Sequence, residues 1–416
     1  MSFNVYKFIA SGIRNKSENG DRISSMSTRI GLVSVAVSIF VIIVALCVVR
    51  GFRSEIRFKT SGYMGDLALV TPGQTPLNDV YPFSDSISIL DGLMSKSYVR
   101  NIQRVAYASG LVREGEELLG SYFKGVDSLY DFSFFAACLD EGELPDYSGE
   151  VASNEILVSR RIADKMGYEV GSSVPAFFVK DKVNYRSFKV CGIYDAQLEE
   201  LDNSMIVADI RHCQKVNGWE ADEVSTMEVV LDKRANIDLC YSELEEYVFS
   251  NLTEDDPSVF LLSVKRIFSN LFDWLSLLDY NVLTILILMM AVAGFNMIST
   301  LLIILFENIS SIGLLKALGM TTASVSKVFR NVALNIVGKG LLWGNVAALI
   351  VCFLQKWLHI IKLDPVSYFV AYVPIEIDLW LILLIDAISV AVIMLILMLT
   401  STFIAKVDPA KTLRME

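Results

Sequence analysis

Four long stretches nearly free of charge dominate this chain. Ile30 to Val49 and Asn281 to Phe306 carry no charged residue, Val332 to Gln355 carries only Lys339, and Leu379 to Ile404 carries only Asp386. A run of about 20 apolar residues can cross a bilayer only as an α-helix, because no water is there to satisfy a bare backbone. The expected fold class is an integral membrane α-helical protein with four transmembrane helices and a large α+β extracytoplasmic domain inserted between helices 1 and 2.

With flanking turns included, the expected segments are 1–29 (cytoplasmic), 30–52 (first span) and 53–273 (external domain, inner lobe about 131–224). There follow 274–306 (second span), 307–331 (cytoplasmic loop), 332–356 (third span), 357–378 (external loop), 379–404 (fourth span) and 405–416 (cytoplasmic tail). Orientation comes from the Lys/Arg bias of short flanks. Lys7, Arg14, Lys16, Arg22 and Arg29 precede the first run, Lys316, Lys327 and Arg330 separate the second and third, and Lys406, Lys411 and Arg414 follow the fourth. The loop from Trp357 to Asp378 has only Lys362. Both termini are thus expected in the cytoplasm. The leader is too long for a cleaved signal and no Ala-x-Ala site follows the first run.

Charge divides the same way. Residues 50–273 hold 22 Lys+Arg against 37 Asp+Glu, while the rest hold 14 against 10. An acidic water-soluble module is tied to a mildly basic membrane part, and no clustered basic face suggests nucleic-acid binding. Within the module "DLALV", "ILVS", "SFKVCGIYD", "SMIVAD" and "TMEVVLD" alternate as half-buried strands do. "SRRIADKMGYEVG" and "LCYSELEEYVFSNL" have helical spacing, with Leu239, Leu244, Tyr247 and Val248 on one face of the second. Gly62–Gly65 and Pro72–Pro76 mark turns. Cys138, Cys191, Cys213 and Cys240 match no zinc pattern or disulfide framework and read as small buried hydrophobes. His212 reads as a surface helix cap.

Chemistry-bearing motifs are missing. There is no G-x-x-x-x-G-K-[ST] phosphate loop, G-x-S-x-G elbow, H-E-x-x-H or C-x-x-C. The acids Glu114, Glu116, Glu117 and Glu199, Glu200, Asp202 read as solvated surface. Lys339 and Asp386 lie toward opposite ends of their helices, so a direct pair is not expected. Lys339 can snorkel or face a cavity, and Asp386 is expected to pack against a polar group within the assembly rather than to relay protons. Gly338, Gly340 and Gly344 let another helix approach closely, within this chain or from another.

The stretch "SSIGLLKALGMTTASVSKVF" (Ser310 to Phe329) joins the second and third runs. Ile312, Leu315 and Leu318 recur at helical spacing and Lys316 points elsewhere. Gly319 suits a left-handed helix stop, and Thr321 or Thr322 can cap a new helix. A helix, a hard stop and a restart at the membrane surface could carry force into both spans, or simply lie on lipid.

This stretch, with "GKGLLWGNVAAL" after it, resembles the signature of FtsX/MacB-like ABC transporter permeases. "DPVSYFVAYVPIEID" (Asp364 to Asp378), "AKVDPAKTLRME" and "ISSMSTRIGLVSVAVSIFVIIVALCVVRGFRSEI" resemble the lipoprotein-releasing (Lol-type) branch. In the external domain the likeness is looser and rests on "ILVSRRIADKMGYEVGSSV" and "FKVCGIYD". Where the family has an acid directly before Ile-Gly, this chain has Ser311, with Glu307 a turn earlier. The resemblance implies a coupling helix over Ile312, Gly313, Leu315, Lys316, Ala317, Leu318 and Gly319 that docks on a separate ABC ATPase homodimer. It further implies a second permease copy or paralogue, a lipoprotein substrate and a periplasmic lipoprotein carrier. ATP and Mg would sit on the ATPase and no cofactor in this chain.

The resulting expectation is a non-enzymatic permease subunit of the bacterial inner membrane, extracting lipoproteins from the outer leaflet. Other readings are a transmitter that activates a periplasmic partner such as a cell-wall hydrolase, a membrane enzyme, and an exporter of small hydrophobic compounds.

Overall fold

The computed structural model describes residues 22–74, 80–180 and 183–405. Lys7, Arg14, Lys16, Pro76, Lys406, Lys411 and Arg414 lie outside them. The chain divides into a helical unit, made of residues up to Phe52, Leu275–Ile361 and residues from Val373 on, and a mixed unit of Arg53–Trp274 with Lys362–Tyr372.

Four long helices follow the four apolar runs. They are Arg22–Met64, Ser269–Glu307, Thr322–Leu358 and Leu379–Ala405. Among the described residues three are long and apolar enough to cross a membrane, and the fourth contributes the shorter apolar stretch Leu379–Leu395. The helical unit buries small and branched side chains. Val35, Ile39 and Ile43 pack with Met297, Ile304, Val332, Ala333, Ile336 and Ile393.

The mixed unit is built on one sheet. Its strands are β1 (Leu67–Val70), β2 (Phe83–Ser84), β3 (Val99–Glu114), β4 (Glu117–Val126), β5 (Leu139–Gly142), β6 (Glu155–Ser159), β7 (Ser173–Val179), β8 (Val183–Tyr194), β9 (Met205–Asp209), β10 (Glu223–Val224), β11 (Thr226–Leu231) and β12 (Phe260–Ser263). Ten of them join in the order β12-β1-β11-β3-β4-β9-β6-β8-β5, with β7 pairing β3 and β8. β1 is buried along its length and lies antiparallel between β11 and β12. β3 and β4 form a long hairpin closed through Gly115, whose φ of +58° suits the first position of a two-residue turn. The parallel pairs β4–β9 and β6–β8 need crossovers. Helix Arg160–Met166 lies in the connection from β6 to β8, and helix Ile210–Asn217 follows β9; the two are capped by Ser159 and Asp209 and stopped by Gly167 and Gly218 in left-handed conformations.

The aromatic core of this unit gathers at Tyr63, whose ring meets Phe134 edge-on at 5.2 Å and Tyr194 at 6.2 Å. Beside it Lys124, wholly buried, pairs with buried Glu228 at 2.8 Å and donates to the Tyr130 hydroxyl at 2.9 Å.

Three sequence expectations need correction. His212 is not a cap, since Asp209 holds that position. The half-buried imidazole meets the Ser153 carbonyl at 3.0 Å and the Phe188 ring edge-on at 5.1 Å. Leu239 is exposed, and the buried face of helix Ile237–Asn251 is Ile237, Cys240, Leu244 and Val248. Asp202 is buried rather than solvated. It accepts from the Tyr63 hydroxyl and, at 3.0 Å, from the Leu198 amide. Cys213 and Cys240 are buried, Cys138 and Cys191 are half-buried, and all four are free thiols.

Candidate functional site

Helix Ser269–Glu307 ends where Asn308 turns its amide onto both Ile304 O and Leu305 O and its side chain onto Ile304 O at 2.9 Å. A short helix, Ile309–Ala317, follows. Its last turn closes through Leu318 N–H to Leu314 O at 2.9 Å and Gly319 N–H to Lys316 O at 3.0 Å. Gly319 takes φ +92°, and a Cβ there would meet nothing within 4 Å. Conformation, not crowding, therefore asks for glycine at this stop. Of the two candidate caps, Thr321 is the one used; its hydroxyl accepts from Ser324 N–H at 3.3 Å. Helix Thr322–Leu358 then begins at once.

This joint presents apolar surface outward. Leu314 and Leu318 are 55% and 77% exposed, Gly313 is buried, and Lys316 stands half-exposed in the last turn. Leu318 thus faces away from the core. Of Ile312 and Leu315 only the helical backbone is described. Val325, Val328 and Val332 are buried with Ile304 and Leu305. The start of the third long helix is thus packed on the end of the second.

Two of the three glycines singled out in the third long helix sit against the first. A Cβ at Gly340 would come within 2.8 Å of Val35, and one at Gly344 within 2.7 Å of the Ala36 carbonyl. Gly338 faces open space. Directly after Gly344, Asn345 donates to the Asp386 carboxylate at 2.7 Å, joining the third and fourth long helices. Lys339 is exposed. An apolar groove of about 480 Å³ lies along the first and second long helices, lined by Ile30, Val33, Val37, Met289 and Val292 with Arg29 among them.

The loop after the third long helix is closed at its base. Gln355, a buried side chain, donates to Ile361 O at 3.1 Å and Val373 O at 3.3 Å and accepts from Ile361 N–H at 2.9 Å. Val373 N–H reaches Ile361 O at 3.1 Å. Glu376 N–H continues onto Cys47 O, and Asp378 pairs with Arg50.

Between those ends, Asp364 caps a single turn, Pro365–Tyr368, and Leu363 N–H meets Ala371 O at 2.9 Å. Lys59, 4% exposed at its side chain, donates to Phe369 O at 2.8 Å and to Gln197 Oε1 at 3.3 Å. Gln197 Oε1 also accepts from Ala371 N–H at 3.2 Å. Gln197 and Phe369 both have left-handed backbones, with φ of +59° and +60°. The Trp274 ring meets Phe369 edge-on at 6.1 Å. Sequence reasoning missed Lys59, Gln197 and Gln355. Lys59 and Gln197 bond each other and backbone groups far away in sequence, and Gln355 bonds backbone groups of the loop that follows it; no motif spacing marks such contacts. Among the described residues no group of three or more His, Cys, Asp or Glu side chains is placed to hold a metal.

Residues 30–247 match the family model of the MacB-like periplasmic core domain, and residues 283–409 that of the FtsX-like permease C-terminal region. The chain is 23% identical over 425 residues to the lipoprotein-releasing system transmembrane protein LolC of Neisseria meningitidis serogroup B, covering 97% of each chain. It is 22% identical over 432 residues to LolC of Xylella fastidiosa, again covering 97% of each. Among solved structures, the periplasmic region of MacB from Actinobacillus actinomycetemcomitans aligns with a TM-score of 0.36 at 14% identity, over 50% of this chain and 94% of that one. The extracellular domain of the ABC-type transporter YknZ aligns at 0.32 and 14% identity, over 47% and 99%.

Proposed function

The chain belongs to the Lol-type branch of the FtsX/MacB-like ABC transporter permeases, and on that premise we propose that it releases lipoproteins from the bacterial inner membrane. The carrying observation is the match to LolC proteins, which runs through both the membrane part and the external domain at 97% of each chain.

In this reading the protein crosses the membrane four times with both termini in the cytoplasm. A separate ATPase homodimer binds Mg-ATP and grips the joint around Ile312, Gly313, Leu315, Lys316, Ala317, Leu318 and Gly319. Closure of the ATPases pushes on that joint. The exposed Leu314 and Leu318 give a soluble partner apolar surface to hold, and the packing of Val325, Val328 and Val332 carries the push into the helices. The external domain responds and hands the lipoprotein to a periplasmic carrier. A second permease copy or paralogue completes the assembly. The groove beside Arg29 lies toward the cytoplasmic end of the first span under this orientation, so outer-leaflet acyl chains enter elsewhere.

The test is purification of the tagged full-length chain in mild detergent, identification of the chains that come with it, and reconstitution in vesicles with an acylated lipoprotein. Recovery of an ABC ATPase and ATP-dependent transfer of lipoprotein to a soluble carrier support the reading. Nucleotide hydrolysis by the purified chain alone, or ATP hydrolysis by the complex with no lipoprotein released, overturns it.

A further inference from the structure

We infer that Cys47 and Cys352 are a disulfide site, at which an oxidant of the disulfide class staples the first long helix to the third within one chain. Both residues belong to the helical unit. The inference goes beyond the permease reading and does not rest on it.

The pairing follows from the seam between the two helices. A Cβ at Gly340 would come within 2.8 Å of Val35, and one at Gly344 within 3.0 Å of the Ile39 side chain. From the first pair to the second the step is four residues on both helices, and residues four apart share a helix face. Equal steps also mean that the helices run in the same direction. Two further steps lead through Ile43 and Ala348 to Cys47 and Cys352. All four are buried in one cluster. The Cys47 and Cys352 thiols hydrogen-bond each other. The register of the seam and the thiol contact thus place one sulfur against the other independently.

Gly340, Gly344, Ala348 and Cys352 give this face of the third long helix small side chains, which lets the two backbones approach. A disulfide needs that closeness, with Cα atoms about 4.4–6.8 Å apart. Thiols of the mixed unit are placed differently: Cys191 donates to Ile156 O at 3.2 Å, and Cys213 to Phe123 O at 3.7 Å.

Cys47 and Cys352 are free thiols, each at most 3% exposed. Polar groups follow one turn beyond each. Arg50 comes after Cys47 and pairs with Asp378 in partial contact with solvent, and Gln355 comes after Cys352. A small reagent therefore crosses a single turn of helix to reach sulfur. One cysteine, as its thiolate, attacks a sulfur of the oxidant's disulfide, expels a thiolate and becomes a mixed disulfide. The other, also as its thiolate, attacks the protein sulfur of that mixed disulfide and expels the second half of the oxidant. The cysteines give up two protons and two electrons, and the oxidant leaves as two thiols. The new bond closes a loop that contains all of Arg53–Trp274. A cross-link over so long a stretch removes freedom from the unfolded chain.

The experiment uses the full-length chain in lipid nanodiscs with a protease site inserted between Glu254 and Asp255, both exposed. Cutting there leaves Cys352 as the sole cysteine of the C-terminal piece, so any disulfide between the pieces must use it. The chain is treated with dipyridyl disulfide, a small membrane-permeant oxidant, then cut and run on a denaturing gel without reductant. Most wild-type molecules are expected to stay joined, to separate when dithiothreitol is added, and to carry no pyridyl adduct on Cys352. Cys47→Ser and Cys352→Ser should separate, and Cys138→Ser should stay joined. Before cutting, the oxidised wild type should melt several degrees above its reduced form. Wild-type pieces that separate after oxidation, with Cys352 free or carrying an adduct, overturn the site. So does a join that persists in Cys47→Ser, or one that links two copies of the chain. An oxidised chain that melts no higher than the reduced one overturns the staple, because closing the bond has then distorted the helices.

Discussion

The Tyr63 hydroxyl, at the end of the first long helix, donates to the buried carboxylate of Asp202. Burial pushes Asp202 up to about 6, against the downward pull of that bond and of the Leu198 amide. Its unfolded value is near the ordinary 3.8. Between these values the folded state holds more protons than the unfolded one, so this group makes stability fall as pH rises, and its penalty is complete above about pH 6. Asp202→Asn is expected to unfold at higher temperature than wild type at pH 7.5, by roughly 1–3 kcal/mol of stability. The advantage should shrink toward zero or reverse at pH 4, because the neutral acid then serves as well as the amide. Thermal melts of both proteins across that range check it; a gap that widens on acidification contradicts the assignment.

Lys124 and Glu228 form an ion pair with side chains 0% and 1% exposed. Burial lowers the lysine and raises the carboxyl, and each charge offsets the other's shift. Removing one partner strands the other, so Lys124→Met or Glu228→Gln is expected to cost about 3–5 kcal/mol. The double replacement Lys124→Met with Glu228→Leu should cost less than the larger single loss. Chemical denaturation of the three variants reads this directly.

Gly319 holds φ +92° in open space. Gly319→Ala should cost about 1 kcal/mol through backbone strain alone, whereas Gly319→Pro should also change the angle between the flanking helices. Gly319→Pro and Lys316→Glu are expected to abolish lipoprotein-stimulated ATP hydrolysis while the chain still enters the membrane and elutes as a folded species. Equal stimulation in both variants and wild type would count against the coupling role.

Gly340 and Gly344 face Val35 and Ala36, while Gly338 faces nothing. Gly344→Leu and Gly340→Val are therefore expected to lower the melting temperature of the detergent-solubilised chain by several degrees, and Gly338→Leu to leave it nearly unchanged. The seam lies within this chain, so the ordering should persist in a monomeric preparation.

Periodicity and composition showed much of this molecule. Charge-free runs marked the long helices because lipid leaves a backbone no alternative. The apolar runs found β1, β6, β9 and β11, but the expected half-buried alternation does not hold there, since these strands are buried on both faces; β8 is the strand whose burial alternates. Glycine at 319 announced a stop because few other residues accept that backbone. What stayed hidden was pairwise. Asp202 looked like one of three surface acids, and only the fold brings Tyr63 onto it. Lys59 looked like one more charge past the first span, and its carbonyl partner lies 310 residues away. Leu239 misled because the helix buries Cys240 instead, and spacing alone cannot choose between adjacent faces.

The position of β1 sets an order of events during biogenesis. It emerges almost first, yet its neighbours are β11 and β12, the last strands to be made. Only five residues separate β12 from the second long helix. Under the proposed topology the external module therefore waits on the far side of the membrane, its first strand unpaired, until the insertion machinery is about to receive the next span. Mutations that slow export of residues 226–263 should expose β1 to chaperones and proteases, and the harm would register as lost protein rather than impaired transport.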